Sequence, residues 1–163
     1  MNYPLILMIM LINKLFLELA FLVCFTYITY VWIKYGIQKS ISKSYYVIKY
    51  KILFVLFSWL TAAFLNAYFN HWLIAIASAG LVLVGAASGF EENKTTKIVH
   101  WTGAIMAILF SELYILFVLN QYYLFYSFLG ILIFISIFVK KNQFWWIEIF
   151  AILNIFLSTF KLF

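Results

Sequence analysis

Charge is what this sequence has least of. Only 10% of its 163 residues are charged; all eleven basic residues are lysine and all five acidic ones glutamate, so arginine and aspartate are missing altogether. Soluble domains carry charge on about a quarter of their residues, and a chain that is 67% hydrophobic has too little polar surface to cover itself in water. That excludes a soluble catalytic domain. The net charge of +6 does not make a nucleic-acid binder either, because the lysines sit at segment ends and no basic face with base-reading side chains can be drawn. Cysteine is as scarce. A single one, Cys24, leaves no intramolecular disulfide and no cysteine-based metal site, and it reads as a small buried apolar residue. The chain has no HExxH, no pair of histidines on one helix and no GxSxG, so the common metallohydrolase and serine-hydrolase signatures are absent; no cofactor and no metal site are implied. Internal repeats and low-complexity linkers are missing too. So, in Met1 to Ile12 (MNYPLILMIMLI), are the basic start and small-residue cleavage site of a secretory signal, and that stretch is expected to belong to the first helix.

What is abundant is uninterrupted apolar sequence. Six segments separate at polar clusters, at residues 5–33, 52–70, 72–90, 99–119, 122–139 and 144–162, each close to or above the roughly 20 residues that carry a helix across a bilayer. A transmembrane barrel needs strands of about ten residues with alternating polarity, and no such alternation runs through these segments. The expected fold is all-α: a polytopic transmembrane helical bundle of six helices, forming one integral membrane domain over residues 1–163.

The lysines then set an orientation. Lys34, Lys39, Lys43, Lys49 and Lys51 follow the first segment, Lys94 and Lys97 the third, and Lys140 and Lys141 the fifth, while Lys14 and Lys161 fall toward the other side. Positive charge stays in the cytoplasm, so the first, third and fifth loops are expected inside, both termini outside, in the cytoplasmic membrane. Trp32, Trp101, Trp145 and Trp146 are placed at the inner interface, Trp72 at the outer one, and Tyr45, Tyr46, Tyr122, Tyr123 and Tyr126 as further interfacial anchors. The polar stretch SGFEENKTTKIVHW at 88–101 becomes a cytoplasmic hairpin loop. Its Asn93-Lys94-Thr95 triplet matches a glycosylation acceptor but would never meet the enzyme there. His71 is expected to cap the tight turn between the second and third segments.

The third segment, WLIAIASAGLVLVGAASGF, crowds small residues into one span. Gly85 and Gly89 form a GxxxG step that Ser78 joins at helical spacing, which lets another helix approach its backbone closely. It is expected to be the buried central helix, with the Phe- and Ile-rich fifth and sixth segments facing lipid.

An ionisable group inside a membrane needs a partner or an aqueous cavity. Lys14 and Glu18, four residues apart, share a helix face, and Glu112 reaches the same outer half of the bilayer. With Asn66 they form a candidate intramembrane polar cluster, which Asn13, Ser111 and Asn154 can extend. Its structural reading is an interhelical clamp; its functional reading is an ion or proton relay through Glu112 and Glu18. A second cluster, Ser42, Ser44, Glu91, Glu92, His100 and Glu148, falls at the cytoplasmic face. A histidine with carboxylates could hold a metal or activate water; the alternative is hydrogen bonding and charge pairing that stitches the first loop to the third.

Three stretches, SISKSYY at 40–46, LVGAASGF at 83–90 and VHWTGA at 99–104, resemble a family of small polytopic membrane proteins of bacteria and their phages, in which a SIS-x-SYY loop precedes a VGAA-x-x-F helix end and a VH-x-x-GA helix start. The resemblance covers roughly residues 36–104, departs at Lys43, where the pattern often has an acidic residue, and implies a role at the cytoplasmic face. A remoter resemblance is to alkaline-ceramidase-like membrane hydrolases, whose zinc sites use several histidines, an aspartate and a serine; this chain offers two histidines and no aspartate. The function expected is that of a structural or interaction subunit working through its cytoplasmic loops. Its partners would be membrane lipids and a second copy in a homo-oligomer or another membrane protein. The alternatives are an ion or proton transporter or channel, and a metal-dependent hydrolase acting on lipid.

Overall fold

The computed structural model describes residues 3–159. Among them are seven helices and no strand: α1 Tyr3–Tyr35, α2 Ser44–Val47, α3 Ile52–Phe69, α4 Trp72–Ala86, α5 Lys94–Phe117, α6 Tyr122–Phe138 and α7 Gln143–Leu157. Each of the six apolar segments forms a helix, and the extra one, α2, is a single turn within the first loop. Met1, Asn2 and the last residues of the sixth segment, with Lys161, lie outside the described residues. Three helices are long and apolar enough to cross a membrane: α1 from Leu5 to Tyr35, α3 and α5. The apolar helices α4, α6 and α7, at 15 to 17 residues, fall short of the about 20 that a perpendicular crossing takes. The third segment is shortened because α4 stops at Ala86 and residues 87–90 fold back as a turn that buries Ala87, Ser88 and Phe90.

Most large side chains left on the outside are hydrocarbon or aromatic, including Leu5 and Leu7 to Ile12 along α1 and Ile133, Phe134, Ile137 and Phe138 on α6. Lipid can solvate such a surface and water cannot.

Helix pairing follows from which faces are small or apolar. On α1 the buried residues Ala20, Cys24, Tyr27 and Val31 recur at steps of four, three and four, one stripe of the helix. They meet Phe54, Phe57, Thr61 and Leu65 of α3. The Tyr27 ring stacks on Phe57 with centroids 4.4 Å apart, and Cys24 Sγ lies 3.3 Å from the Thr61 hydroxyl. α4 packs between α3 and α5, as expected of a central helix.

The closest backbone approach of α4 to a neighbouring helix lies at Gly80, outside the GxxxG step. A Cβ at Gly80 would stand 2.5 Å from the Gly103 carbonyl oxygen, and one at Gly103 would stand 2.6 Å from the Gly80 carbonyl oxygen, so the α4 and α5 backbones touch there. Of the GxxxG step, Gly85 faces α3, where a Cβ would stand 2.7 Å from the Trp59 indole and 3.1 Å from Ser58 Cβ, and the indole Nε1–H donates to the Val82 carbonyl at 3.2 Å. Gly89 lies beyond the end of α4, against Glu92 of its own loop. Ser78 is buried in α4.

The sixth segment also departs from expectation. α6 faces outward, with only Leu124, Phe128 and Ile135 buried, but α7 places Trp145, Ala151, Asn154, Ile155 and Phe156 inside. Trp145, 3% exposed, is a core residue and not an interfacial anchor. The turns between helices use asparagine where glycine might stand: Asn70, Asn120 and Asn142 have φ of 43°, 54° and 60°, in the left-handed region that asparagine tolerates better than most side chains. His71 caps α4 as expected, its Nδ1 accepting the Leu73 N–H at 3.2 Å.

Candidate functional site at the lysine-rich end

The antiparallel helices bring the first loop (residues 36–51), the α4–α5 loop and the α6–α7 turn to one end of the bundle, and nine of the lysines with them. α1 ends where Gly36, at φ 74°, takes a left-handed turn. The chain that follows could have been a loose hairpin. It is instead buried at Ser40, Ile41, Ser42, Ser44 and Ile48, and it is fastened on three sides.

The first fastening is to α7. The Ile41 N–H donates to Glu148 Oε2, the Ser42 hydroxyl donates to Glu148 Oε1 at 3.3 Å, and the Trp145 N–H donates to the Lys39 carbonyl at 3.2 Å. Glu148 serves here as an acceptor for two groups that have turned away from water, so losing it would leave both stranded. The second is to α1, where the Tyr27 hydroxyl and Ser44 Oγ are 2.5 Å apart, with Ser44 Oγ also 2.5 Å from the Ile41 carbonyl. The third is to the α4–α5 loop, through the ion pair of Lys43 Nζ with Glu91 and the Glu91 N–H donating to the Tyr46 hydroxyl at 2.7 Å. Burial pushes the Tyr46 phenol up from its ordinary value, against the opposing pull of that N–H, so it stays neutral. Lys51 lies over the Tyr45 ring, 4.9 Å from its centroid.

The residues expected in the cytoplasmic-face cluster therefore share an end without sharing a centre. Ser42 and Glu148 are joined. Ser44 belongs to Tyr27, and Glu91 to Lys43. Glu92 is exposed. His100 is buried beneath Phe90, the two rings stacked 4.0 Å apart, and its Nδ1 has no hydrogen-bond partner. Among the described residues no three His, Cys, Asp or Glu side chains gather as metal ligands. Asn93 starts α5 as its N-cap, accepting from the Thr96 N–H and hydroxyl at 2.7 Å each, so the side chain of the glycosylation-like triplet is engaged in the fold.

The intramembrane cluster divides as well. Lys14 Nζ and Glu18 stand 3.7 Å apart along α1, both largely exposed at 73% and 61%, and Asn66 is exposed on α3. Glu112 is only 3% exposed, and its partner is Asn154, whose Nδ2 donates to the two carboxyl oxygens at 3.0 and 2.8 Å. Among the described residues no cation stands within ion-pair distance of Glu112.

Two contributors to this end carried little signal in the sequence. Tyr27 looked like one more aromatic in a long apolar helix, and only its place on the buried stripe marks it. Trp145 reads in the sequence as one of four interfacial tryptophans, and nothing local marks it as core. The Gly80–Gly103 contact had a signal, since Gly103 and Ala107 repeat at four residues on α5 as small residues do at helix contacts. No protein-family model, curated protein or solved structure matches the chain.

Proposed function

We propose that the chain is a small polytopic protein of the cytoplasmic membrane that works as a structural or interaction subunit, with its lysine-rich end in the cytoplasm and its first loop as the contact surface. The observation that carries this reading is the fastening of that loop to α1, α7 and the α4–α5 loop at once. A surface held in one shape before it meets a partner loses less entropy on binding than a mobile hairpin does. Around it Lys39, Lys49, Lys51, Lys94, Lys97, Lys140 and Lys141 are exposed, a charge pattern suited to anionic headgroups or an acidic partner segment. The stretches that resemble the bacterial and phage family lie at this same end. A photo-crosslinking residue placed at Lys49 or Lys51 is expected to give one discrete adduct in cells, a second copy of the chain or another membrane protein, that disappears in Glu148→Ala. Placed at Tyr122, at the opposite end, it should give none. Equal crosslinking from the two ends, or none from either, would count against the reading.

Glu112 motivates a second reading, a proton or ion relay, because a carboxyl buried among helices with an amide for its partner is a costly group to keep. Glu18 lies apart from it, paired with Lys14. Reconstituted liposomes should then show flux that Glu112→Gln abolishes, and wild-type vesicles without flux would remove this reading. Glu91, Glu92, His100 and Glu148 are engaged with separate partners or stand apart, an arrangement that lends no support to a metal-dependent hydrolase.

A further inference from the structure

Beneath the first loop the bundle does not close on itself. A cavity of about 110 Å³ runs between α1, α3, α4, α5 and α7, covered at the lysine-rich end by Ile41 and Ser42 and bordered there by Glu148. Its lining on α4 extends from Ile74 to Val84, which at 1.5 Å per residue is about 15 Å. The space is long and narrow.

Its wall is hydrocarbon in effect, although several hydroxyls line it. Thr61 is engaged with Cys24 at 3.3 Å, Ser58 donates to the Phe54 carbonyl at 3.1 Å, Ser111 to the Ile108 carbonyl at 2.9 Å, and Ser42 to Glu148 at 3.3 Å. Ser78 is the exception. Its side chain lines the cavity, is 7% exposed and has no hydrogen-bond partner. At the covered end, Glu148 has acceptor capacity left over: a carboxylate offers about four lone-pair sites, and the Ile41 N–H with the hydroxyl and backbone N–H of Ser42 do not use them all.

A cavity whose wall is almost entirely apolar favours apolar guests. In a bilayer the apolar guest at hand is an alkyl chain, and a narrow slot of this length suits a chain better than a ring or a peptide. We propose that the cavity binds a single-chain alkyl amphiphile with a hydrogen-bond-donating head. Its tail lies among Phe57, Leu81, Ile108 and Ile152, its head donates to Glu148 beneath the first loop, and the Ser78 hydroxyl meets an acceptor atom of the ligand. This goes beyond the interaction-subunit reading and does not depend on which way the protein faces.

The test uses the full chain in phosphatidylcholine nanodiscs and a photoreactive analogue of 1-dodecanol carrying a mid-chain diazirine. Labelling is expected on cavity residues such as Leu81, Ile108 and Ile152, with loss of that labelling in Ser78→Leu, which fills the slot. Should Ser78→Leu fail to fold, Ala104→Leu narrows the same space from α5, and the labelling map of the unaltered chain stands by itself. Unlabelled 1-dodecanol should displace the probe about tenfold more effectively than dodecanoate, a difference of about 1.4 kcal/mol, because Glu148 takes a donor and rejects an anion. Labels confined to outward residues such as Ile133 and Phe134 would overturn the site, and equal displacement by alcohol and carboxylate would overturn the part given to Glu148.

Discussion

Replacing Gly80 by alanine puts a methyl group where the backbones of α4 and α5 touch. The added carbon would sit 2.5 Å from the Gly103 carbonyl oxygen, 2.6 Å from the Ala107 amide nitrogen and 2.9 Å from Met106 Cβ, whereas relaxed carbon contacts lie at about 3.5–4.0 Å. The two nearest obstacles are backbone and cannot swing aside. The helices must part by about 1 Å, and a gap of that size forfeits about a quarter to a half of the dispersion energy of each contact along the pair. Overpacking of this kind costs about 1–3 kcal/mol, set against the about 1 kcal/mol that alanine gains over glycine in a helix interior. Gly130 provides the control. It lies in α6 with nothing within 4 Å of where its Cβ would be, so Gly130→Ala keeps the gain without the cost. In unfolding titrations with SDS from mixed micelles, Gly80→Ala should unfold at a lower SDS fraction than Gly130→Ala, the two differing by about 1–3 kcal/mol. Gly85→Ala should fall between them, because the nearest obstacle there is the edge of the Trp59 indole at 2.7 Å, a side chain that can rotate at the loss of its bond to Val82, and the fixed Ser58 Cβ stands farther off at 3.1 Å. Equal midpoints for Gly80→Ala and Gly130→Ala would refute the close approach of α4 and α5.

Two further outcomes follow from the hydrogen bonding. Glu148→Ala strands the Ile41 N–H and the Ser42 hydroxyl, a loss of about 1–3 kcal/mol for a buried unpaired group; trypsin should then cut the first loop at Lys39 and Lys43 faster than in the unaltered chain, and an unchanged cutting rate would mean that Glu148 does not hold the loop. Asn154→Leu removes the partner of Glu112 and should destabilise by a similar amount, about 1–3 kcal/mol, while adding Glu112→Leu should restore most of it, since replacing both partners by apolar groups can be nearly neutral. A double variant no more stable than Asn154→Leu alone would contradict this account of the pair.

The apolar segments were legible because composition and span length need no knowledge of neighbours, and every one of the six forms a helix. Local pairs were legible for the same reason: Lys14 and Glu18 sit four residues apart and meet along α1, and His71 caps the turn beside it. Contacts between helices were less so. Glu112 and Asn154 could be placed at a common depth, but depth alone did not separate that pair from Lys14 and Glu18, which lie on the outer face of α1. Gly85 and Gly89 formed the more conspicuous motif, yet α4 ends before Gly89 and the close contact falls at Gly80, because it depends on the register of a second helix that offers Gly103. The first loop was legible in part. Charge pairing and hydrogen bonding to the α4–α5 loop were expected and are made through Lys43, Tyr46 and Glu91, while the groups that fasten the loop to α1 and α7 come from residues 27, 145 and 148, far from it in sequence.

The central claim is that lipid surrounds this bundle with the lysine-rich end in the cytoplasm. Cys24 is buried and is the only native cysteine, so single cysteines introduced at Lys49, in the first loop, and at Tyr122, at the opposite end, can be read against a silent background. In intact spheroplasts a membrane-impermeant maleimide should label Tyr122→Cys and leave Lys49→Cys untouched until the membrane is opened. Labelling of Lys49→Cys from outside, or of both positions equally before permeabilisation, would contradict the account.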